Sequence, residues 1–510
     1  MIRAVTLISS WETQIGIEGR TLIIVSNRGP VTFEVKGGEA FSKRGSGGLV
    51  SAISSACLGA KAKWISSAMS SVDRELAKQS ASIPFPPRAP AYELRLVDIP
   101  ERIYEAYYNS ISNPLIWFVF HYLWDLVEFP KLDRSIIEDW ECGYLEANRL
   151  LAEAAIEEAI LAEAPLIMLQ DYHLFAAAKF IKKDLPDVPV MHFNHIPWPE
   201  RGHFQVLPKE IQSGLLEGLL AADVLGFQTS EFAEAFLSCC SSCGDYQVDF
   251  RRSSIRVGDR EILVKAYPIS IDPTALFEAA NDAEVSKHAE RISKANRGLK
   301  LIVRCDRADP SKNVLRGFEA YDALLTEHPE LKGEVVFLAF LYPTREKLRE
   351  YADYRRRIEA LVKEINDRHC NDGWLPISLR IKDNYPESLA ALKLYDVLLV
   401  NPIRDGMNLV AKEGPLLNEK NGVLVLSERA GAHCELGAAS LSINPFDVRE
   451  TSRALYEALN MPKDQRTMRS EWLKQIVAKN DSNKWLRHQL ADINRAGNAD
   501  DDLAATLPTR

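Results

Sequence analysis

Short runs of apolar and β-branched residues alternate with longer helical patterns almost from end to end, and this rhythm constrains the fold more than any other feature. Strand-like runs occupy 21–26, 93–99, 166–170, 190–194 and 224–228. After a break they resume at 299–304, 335–341, 377–381, 397–400, 423–427 and 440–444. Helical runs at 146–164, 209–221, 345–367 and 387–394 lie between them. A strand-helix-strand rhythm packs as parallel strands with the helices laid over the sheet faces, so the pattern predicts an α/β fold of doubly wound parallel sheets.

A chain of 510 residues has room for two large α/β domains. The natural break is Tyr267-Pro268-Ile269-Ser270-Ile271-Asp272-Pro273, where two prolines within six residues stop the incoming strand. A polar, charged stretch at 281–298 follows, as a connecting helix would, and a new strand begins at Leu299. The expected organisation is an N-terminal extension at 1–20, one domain over 21–268 and a second over 269–471. A helix at 472–496 is expected to pack back on the first domain, and 497–510, with Asp500-Asp501-Asp502, to be a disordered tail. In such folds ligands bind at the carboxyl ends of the strands, here in a cleft between the two domains.

Composition sets limits on function. Hydrophobic residues make up 46% and charged residues 26%, as in ordinary globular proteins. A net charge of −9 argues against a general nucleic-acid binder but leaves room for a local basic pocket. No apolar run reaches the ~18 residues expected of a membrane span, and the apolar core of the first eleven residues is too short for a signal peptide. The eight cysteines show no disulfide or zinc-ribbon spacing. Cys239, Cys240 and Cys243 cluster on a helical stretch without a CxxC pair or a nearby histidine, which reads as reduced thiols in a cytoplasmic protein.

The chemistry-bearing residues gather at strand ends. Arg404-Asp405-Gly406-Met407-Asn408-Leu409-Val410-Ala411-Lys412-Glu413 follows the apolar strand ending at Asn401 and opens a short helix. An acidic residue, a glycine and successive backbone amides at such a turn form an anion-friendly helix N-terminus. Asp405 could hold a sugar hydroxyl while the amides face phosphate oxygens. Glu413 lies eight residues on, about two helical turns, and points along the same face. The set suits a nucleotide sugar, although the turn alone also describes an ordinary N-capped helix.

Four further stretches take the same position. Ser26-Asn27-Arg28-Gly29-Pro30 and the later Gly45-Ser46-Gly47-Gly48-Leu49 combine a phosphate-gripping arginine with a loop whose backbone can approach phosphate closely. A surface turn explains the glycine loop equally well. Gln170-Asp171-Tyr172-His173 ends one strand, and His195-Ile196-Pro197-Trp198-Pro199 follows another, its prolines fixing where His195 points. Asp171 and His195 are the functional candidates there; His173 and His192 read as scaffold. Arg304-Cys305-Asp306-Arg307-Ala308-Asp309-Pro310-Ser311-Lys312-Asn313 places Arg307 and Lys312 where both can reach one diphosphate, each charged hydrogen bond contributing about 1.5–3 kcal/mol. Tyr107 to Trp117, read alone, are core aromatics.

In their order and spacing these pieces resemble the trehalose-6-phosphate synthase family, retaining glycosyltransferases of GT-B fold, over about residues 21–469. The stretch Arg404 to Glu413 is highly specific to that family; the QDYH, His-x-Pro-aromatic-Pro and SNR-x-P elements are weaker singly. The resemblance implies two Rossmann-like domains, an N-terminal acceptor domain and a C-terminal nucleotide-sugar domain. It implies that Arg28, Tyr108, Trp117, Asp171 and Arg345 hold glucose 6-phosphate, with Arg345 on its phosphate. Donor binding falls to Gly47, Gly48, His195, Arg307, Lys312, Asp405, Gly406, Met407, Asn408, Leu409 and Glu413, the last on the ribose. Asp171, His195, Arg307, Lys312 and Asp405 would form the catalytic set, with no metal and no cofactor. The implied reaction transfers glucose from UDP- or GDP-glucose to glucose 6-phosphate, giving α,α-trehalose 6-phosphate with retention. No carboxylate pair can be placed on both faces of the sugar, so front-face attack, with the leaving diphosphate accepting the proton, fits better than double displacement. The partners are those two substrates, with no nucleic acid and no membrane; homo-oligomerisation is left open.

The chain departs from the family pattern at Ala308, Pro310 and Asn313, at Tyr267 and Ser270, and at Trp198. Related branches with Asp-Pro-x-Lys-Asn use GDP-glucose or act on cyclitols, so the alternatives are another acceptor, glycerol 3-phosphate or a cyclitol phosphate, or a non-catalytic sugar-phosphate sensor. The sensor is disfavoured because Arg307, Lys312, Asp405 and Glu413 are all present.

Overall fold

The chain folds as two units, Met1–Ile269 with Ser482–Arg510, and Ser270–Asp481. The computed structural model describes residues 19–505 except 37–38, 45–60, 80–81, 87–89, 127–129, 131, 245 and 372.

The sheet of the first unit runs, edge to edge, Gln247–Asp249, Ser254–Val257, Arg260–Ala266, Val224–Phe227, Val190–Phe193, Leu166–Gln170, Leu22–Ser26, Ala62–Ser67, Tyr92–Val97 and Ile83–Phe85. From Arg260–Ala266 to Tyr92–Val97 every neighbour is parallel; the pairs at both edges are antiparallel. Leu22–Ser26 and Leu166–Gln170 are buried at every position, as strands covered on both faces must be. The strand order departs in opposite directions on the two sides of Leu22–Ser26, which opens a crevice at its carboxyl end. Asn27, Arg28 and Asp171 leave the sheet there.

Ala62–Ser67, a central strand, is absent from the sequence expectation. Lys63, Ser66 and Ser67 interrupt its apolar run, yet Trp64 and Ile65 are fully buried. Two of its polar groups bond within the sheet: Trp64 Nε1 donates to Ser26 Oγ at 2.8 Å and Ser67 Oγ to Asn27 Oδ1 at 3.1 Å. The segment Glu105–Trp117 winds as a π-helix with Pro114 inside it, and a second π-helical stretch, Trp140–Leu145, leads into Glu146–Ile160. Such wide turns are rare and concentrate at functional sites.

In the second unit six strands lie in the order Ile377–Ile381, Val335–Tyr342, Lys300–Arg307, Val397–Val400, Val423–Ser427 and Leu441–Ile443, all neighbours parallel. Ile302, Phe318, Tyr321, Phe337, Leu399 and Leu455 form part of one core around it. The order reverses between Lys300–Arg307 and Val397–Val400, so the loops 308–313 and 401–409 emerge at the switch point. These are domains of GT-B architecture, Rossmann-like in winding, the sheet parallel throughout in the second unit and in the interior of the first.

Three helix expectations are corrected. The helix expected from 345 begins at Arg349, because Arg345 adopts a left-handed φ of 48° that no helix accommodates. The single helix expected over 472–496 is two helices, Lys463–Lys479 in the second unit and Ser482–Ala505 in the first. Asn480 leaves helical geometry, with φ −119° and ψ 87°, and its side chain donates to Glu435 Oε1 at 3.0 Å. The last helix also continues to Ala505 through part of the stretch expected to be a disordered tail. No proline or glycine lies between Gly497 and Ala505 to stop the ladder. Residues 506–510 lie outside the described residues.

Candidate active site

In the first unit the crevice is walled by aromatic rings. Arg28 Nη2 donates to Tyr108 Oη at 3.2 Å, with the guanidinium 5.9 Å from the ring centroid. Tyr108 stacks between Tyr104, at 5.4 Å and 17°, and His173, at 5.8 Å and 9°. The wide π-helical turns carry Tyr108 into this stack. Asn113 Nδ2 donates to Tyr108 O at 2.9 Å and Asn113 Oδ1 accepts from Tyr172 Oη at 2.9 Å, tying the π-helix to the strand end below it. Trp117 is buried, stacked 3.8 Å from His121 and 5.6 Å from Tyr172.

Asp171 sits at φ 74°, a conformation that costs a non-glycine residue energy and persists only where surroundings enforce it. Here its N–H donates to Phe193 O at 2.7 Å and its Oδ1 accepts from His195 N at 3.2 Å. His195 lies between two glutamines: Nε2 is 2.9 Å from Gln170 Oε1 and Nδ1 is 3.4 Å from Gln228 Nε2. Gln228 Oε1 is occupied by the N–H of Ile269 at 3.0 Å, so its amide nitrogen must face the ring. Nδ1 is therefore the acceptor, and the proton is on Nε2, donated to Gln170. Burial, with His192 adding a smaller push, lowers the pKa of His195 to about 3 and keeps the ring neutral.

In the second unit, Arg307 ends its strand and Asp309, fully buried, organises the loop after it. Asp309 Oδ1 accepts from Ser311 N at 2.9 Å and Ser311 Oγ at 2.8 Å. Its Oδ2 lies 3.0 Å from Arg345 Nη1, 3.3 Å from Tyr351 Oη and 3.9 Å from Arg307 Nη2. Arg304, also fully buried, reaches Asp306 Oδ2 at 2.8 Å and Lys312 O at 2.9 Å, which fixes the loop from beneath. Lys312 Nζ then pairs with Asp405 Oδ2, which also accepts from Asn408 Nδ2 at 3.1 Å. An unpaired carboxylate would repel phosphate at this place, and Lys312 cancels that charge.

The turn at 405–409 is braced by the neighbouring strand end: Asp405 N donates to Arg429 O and Gly431 N to Asp405 O, both at 3.1 Å. A Cβ at Gly431 would meet Gly406 O at 1.8 Å, so this approach requires glycine. Helix Val410–Leu417 begins here, and helix geometry leaves the amides at its start outside its ladder. Within it Lys412 is buried against Glu435 at 2.5 Å, while burial raises the pKa of Glu413 to about 7.

The structure thus brings Arg28, Tyr108, Asp171 and His195 to one sheet's carboxyl ends, with Trp117 packed behind them. Arg307, Lys312, Asp405, Gly406, Met407, Asn408, Leu409 and Glu413 gather at the other's. Arg345, expected with the acceptor residues, is in the second unit and held on Asp309. Gly47 and Gly48 lie outside the described residues. Residues without a role in the sequence reading are Arg304, Asp309, Tyr351, Gln170, Gln228 and Tyr104; His173, read as scaffold, is the ring beneath Tyr108. For Arg304 a signal existed, since Asp306 is two residues on and therefore on the same strand face. Trp198 donates its Nε1 to Cys239 Sγ at 3.4 Å in a fully buried aromatic cluster, and burial raises the thiol to about 12.

The sequence model of Glycosyltransferase family 20 matches residues 20–495. The chain belongs to this family. Among family relatives, an α,α-trehalose-phosphate synthase [UDP-forming] A from Dictyostelium discoideum is 31% identical over 96% of this chain. Synthase [UDP-forming] 2 from Aspergillus niger is 30% identical over 93%. The chain spans 65% of the length of the first and 97% of the second. A Burkholderia xenovorans α,α-trehalose-phosphate synthase (UDP-forming), solved in complex with glucose-6-phosphate, superposes with a TM-score of 0.80 at 28% identity. That match covers 93% of this chain and 100% of that one.

Proposed function

We propose that this family 20 glycosyltransferase is a UDP-forming α,α-trehalose-phosphate synthase, transferring glucose from UDP-glucose to glucose 6-phosphate with retention. The observation that carries the reading is the Lys312–Asp405 pair beneath the N-terminus of Val410–Leu417, with Arg307 on the adjoining strand end. These groups suit a sugar diphosphate, and the UDP-forming relatives favour uridine over guanosine.

In the proposed step the bond from glucose C1 to the diphosphate oxygen breaks while C1 bonds to the anomeric oxygen of glucose 6-phosphate on the same face. The acceptor's proton passes to the departing phosphate oxygen. Negative charge grows on that leaving group, where Arg307, Lys312 and the amides before the helix are already oriented to receive it. Asp405 takes a donor hydroxyl and Glu413 the ribose. Arg28, Tyr108, Trp117 and Asp171 hold the acceptor sugar, and Arg345 its phosphate. His195, neutral and fixed as one tautomer, orients the transferred glucose and takes no proton. The cytoplasm is the proposed site of action, in keeping with the buried, unpaired thiols of Cys239 and Cys240.

UDP release from UDP-glucose, measured with and without glucose 6-phosphate and repeated with GDP-glucose, tests the reading. Acceptor-dependent release is expected with UDP-glucose, reduced about 100-fold or more in Arg307→Ala, the scale of losing one donor to developing charge. No acceptor-dependent release with either nucleotide sugar, or near-normal turnover in Arg307→Ala, overturns it.

A further inference from the structure

Asp309 does more than cap its own loop. The cap needs only Oδ1, which takes the Ser311 N–H and hydroxyl. Oδ2 faces a separate group made of Arg345, Tyr351 and Arg307 at 3.0, 3.3 and 3.9 Å. Tyr351 Oη also lies against Arg345 Nη1, and the guanidinium is 5.3 Å from the Tyr351 ring centroid, so the tyrosine holds the arginine from two sides. The Arg345 side chain is 5% exposed, its backbone left-handed at φ 48°, whereas Arg307 is 41% exposed at its strand end. One buried carboxylate therefore faces two guanidinium groups.

We propose that Asp309 is a positioning residue that sets Arg307 and Arg345 together, so that donor diphosphate and acceptor phosphate are recognised through one shared carboxylate. This rests on the synthase reading above and deepens it. A phosphate drawn to Arg345 weakens that arginine's hold on Oδ2 and leaves the carboxylate to Arg307. Binding of each substrate thereby alters the arginine that serves the other. Tyr351 keeps Arg345 aligned while that exchange occurs.

Steady-state kinetics with both substrates varied tests the proposal, using Asp309→Asn, which retains the Oδ1 acceptor for Ser311, and Tyr351→Phe, which removes only the hydroxyl. In Asp309→Asn the KM for glucose 6-phosphate should rise about 10-fold or more, and its dependence on UDP-glucose concentration should vanish. In Tyr351→Phe the acceptor KM should rise several-fold with the UDP-glucose KM within two-fold of the parent. Parent KM values and parent substrate interdependence in folded Asp309→Asn overturn the proposal. Should that variant not fold, an unchanged acceptor KM in Tyr351→Phe overturns it. An absence of acceptor-dependent UDP release in the parent enzyme would strike the synthase reading instead, so the two failures are separable.

Discussion

At the scale of single residues, burial decides which charged groups are available. Among the described residues no cation offsets the desolvation of Glu413, so its carboxyl titrates near 7, well above its ordinary value of 4.5. A carboxyl raised in the folded state keeps its proton while the unfolded chain has lost it. Stability therefore falls as pH rises from about 4.5 to about 7 and levels above that. Glu413→Gln, which mimics the protonated form, should melt higher than the parent at pH 8 and at the same temperature near pH 4.5, by calorimetry without substrates. A difference equal at both pH values would remove burial as the cause. The residue scale is also where legibility in sequence was most uneven. Arg304 and Asp306 share a strand face and can be paired by spacing alone. Asp309 and Arg345 are 36 positions apart and Lys312 and Asp405 are 93 apart, and only the parallel sheet brings each pair together.

At the scale of elements, contiguous apolar strands were legible because burial on both faces leaves no polar position. Ala62–Ser67 escaped because Lys63, Ser66 and Ser67 interrupt its apolar run, although the strand is buried, which hydropathy does not register. The π-helix Glu105–Trp117 was equally hidden: its residues read as core aromatics, and several are. Tyr107 is fully buried, whereas Tyr108 emerges between Tyr104 and His173 to meet Arg28. Tyr108→Phe keeps the stacked ring and loses only the hydroxyl that accepts from Arg28. Its expected effect is a several-fold rise in the KM for glucose 6-phosphate with little change in the KM for UDP-glucose. Equal effects on both substrates would mean that the tyrosine supports the fold rather than the acceptor.

At the scale of the whole molecule, the chain builds the first unit, then the second, and returns to finish the first. Alternation of strands and helices announced two doubly wound sheets; it did not show where the return begins, because 472–496 reads as one helix with no break at Asn480. Side-chain burial separates the two parts. Leu473 and Val477 are buried in Lys463–Lys479, whereas Trp485, Leu486, Leu490 and Ile493 are buried in the helix that belongs to the first unit. Trp485 meets Phe193 edge to face at 5.1 Å and lies 6.1 Å from His195. Further along, Asp492 accepts from Tyr267 Oη at 2.8 Å and Lys265 Nζ at 2.9 Å. The last helix is thus a structural wall behind the strand that presents His195. Trp485→Ala should cost about 3–5 kcal/mol, the range for emptying a buried aromatic site. The loss should fall on the first unit, since among the described residues the core around Phe318 and Phe337 contains none from this helix. Hydrogen exchange resolved by peptide would show it: faster exchange in Val190–Phe193 and Val224–Phe227, with Lys300–Arg307 and Val335–Tyr342 unchanged. Trp485→Phe should retain most of the protection. Uniform acceleration across both sheets would mean that the units unfold as one, and that the returning helix stabilises the chain as a whole rather than the His195 wall.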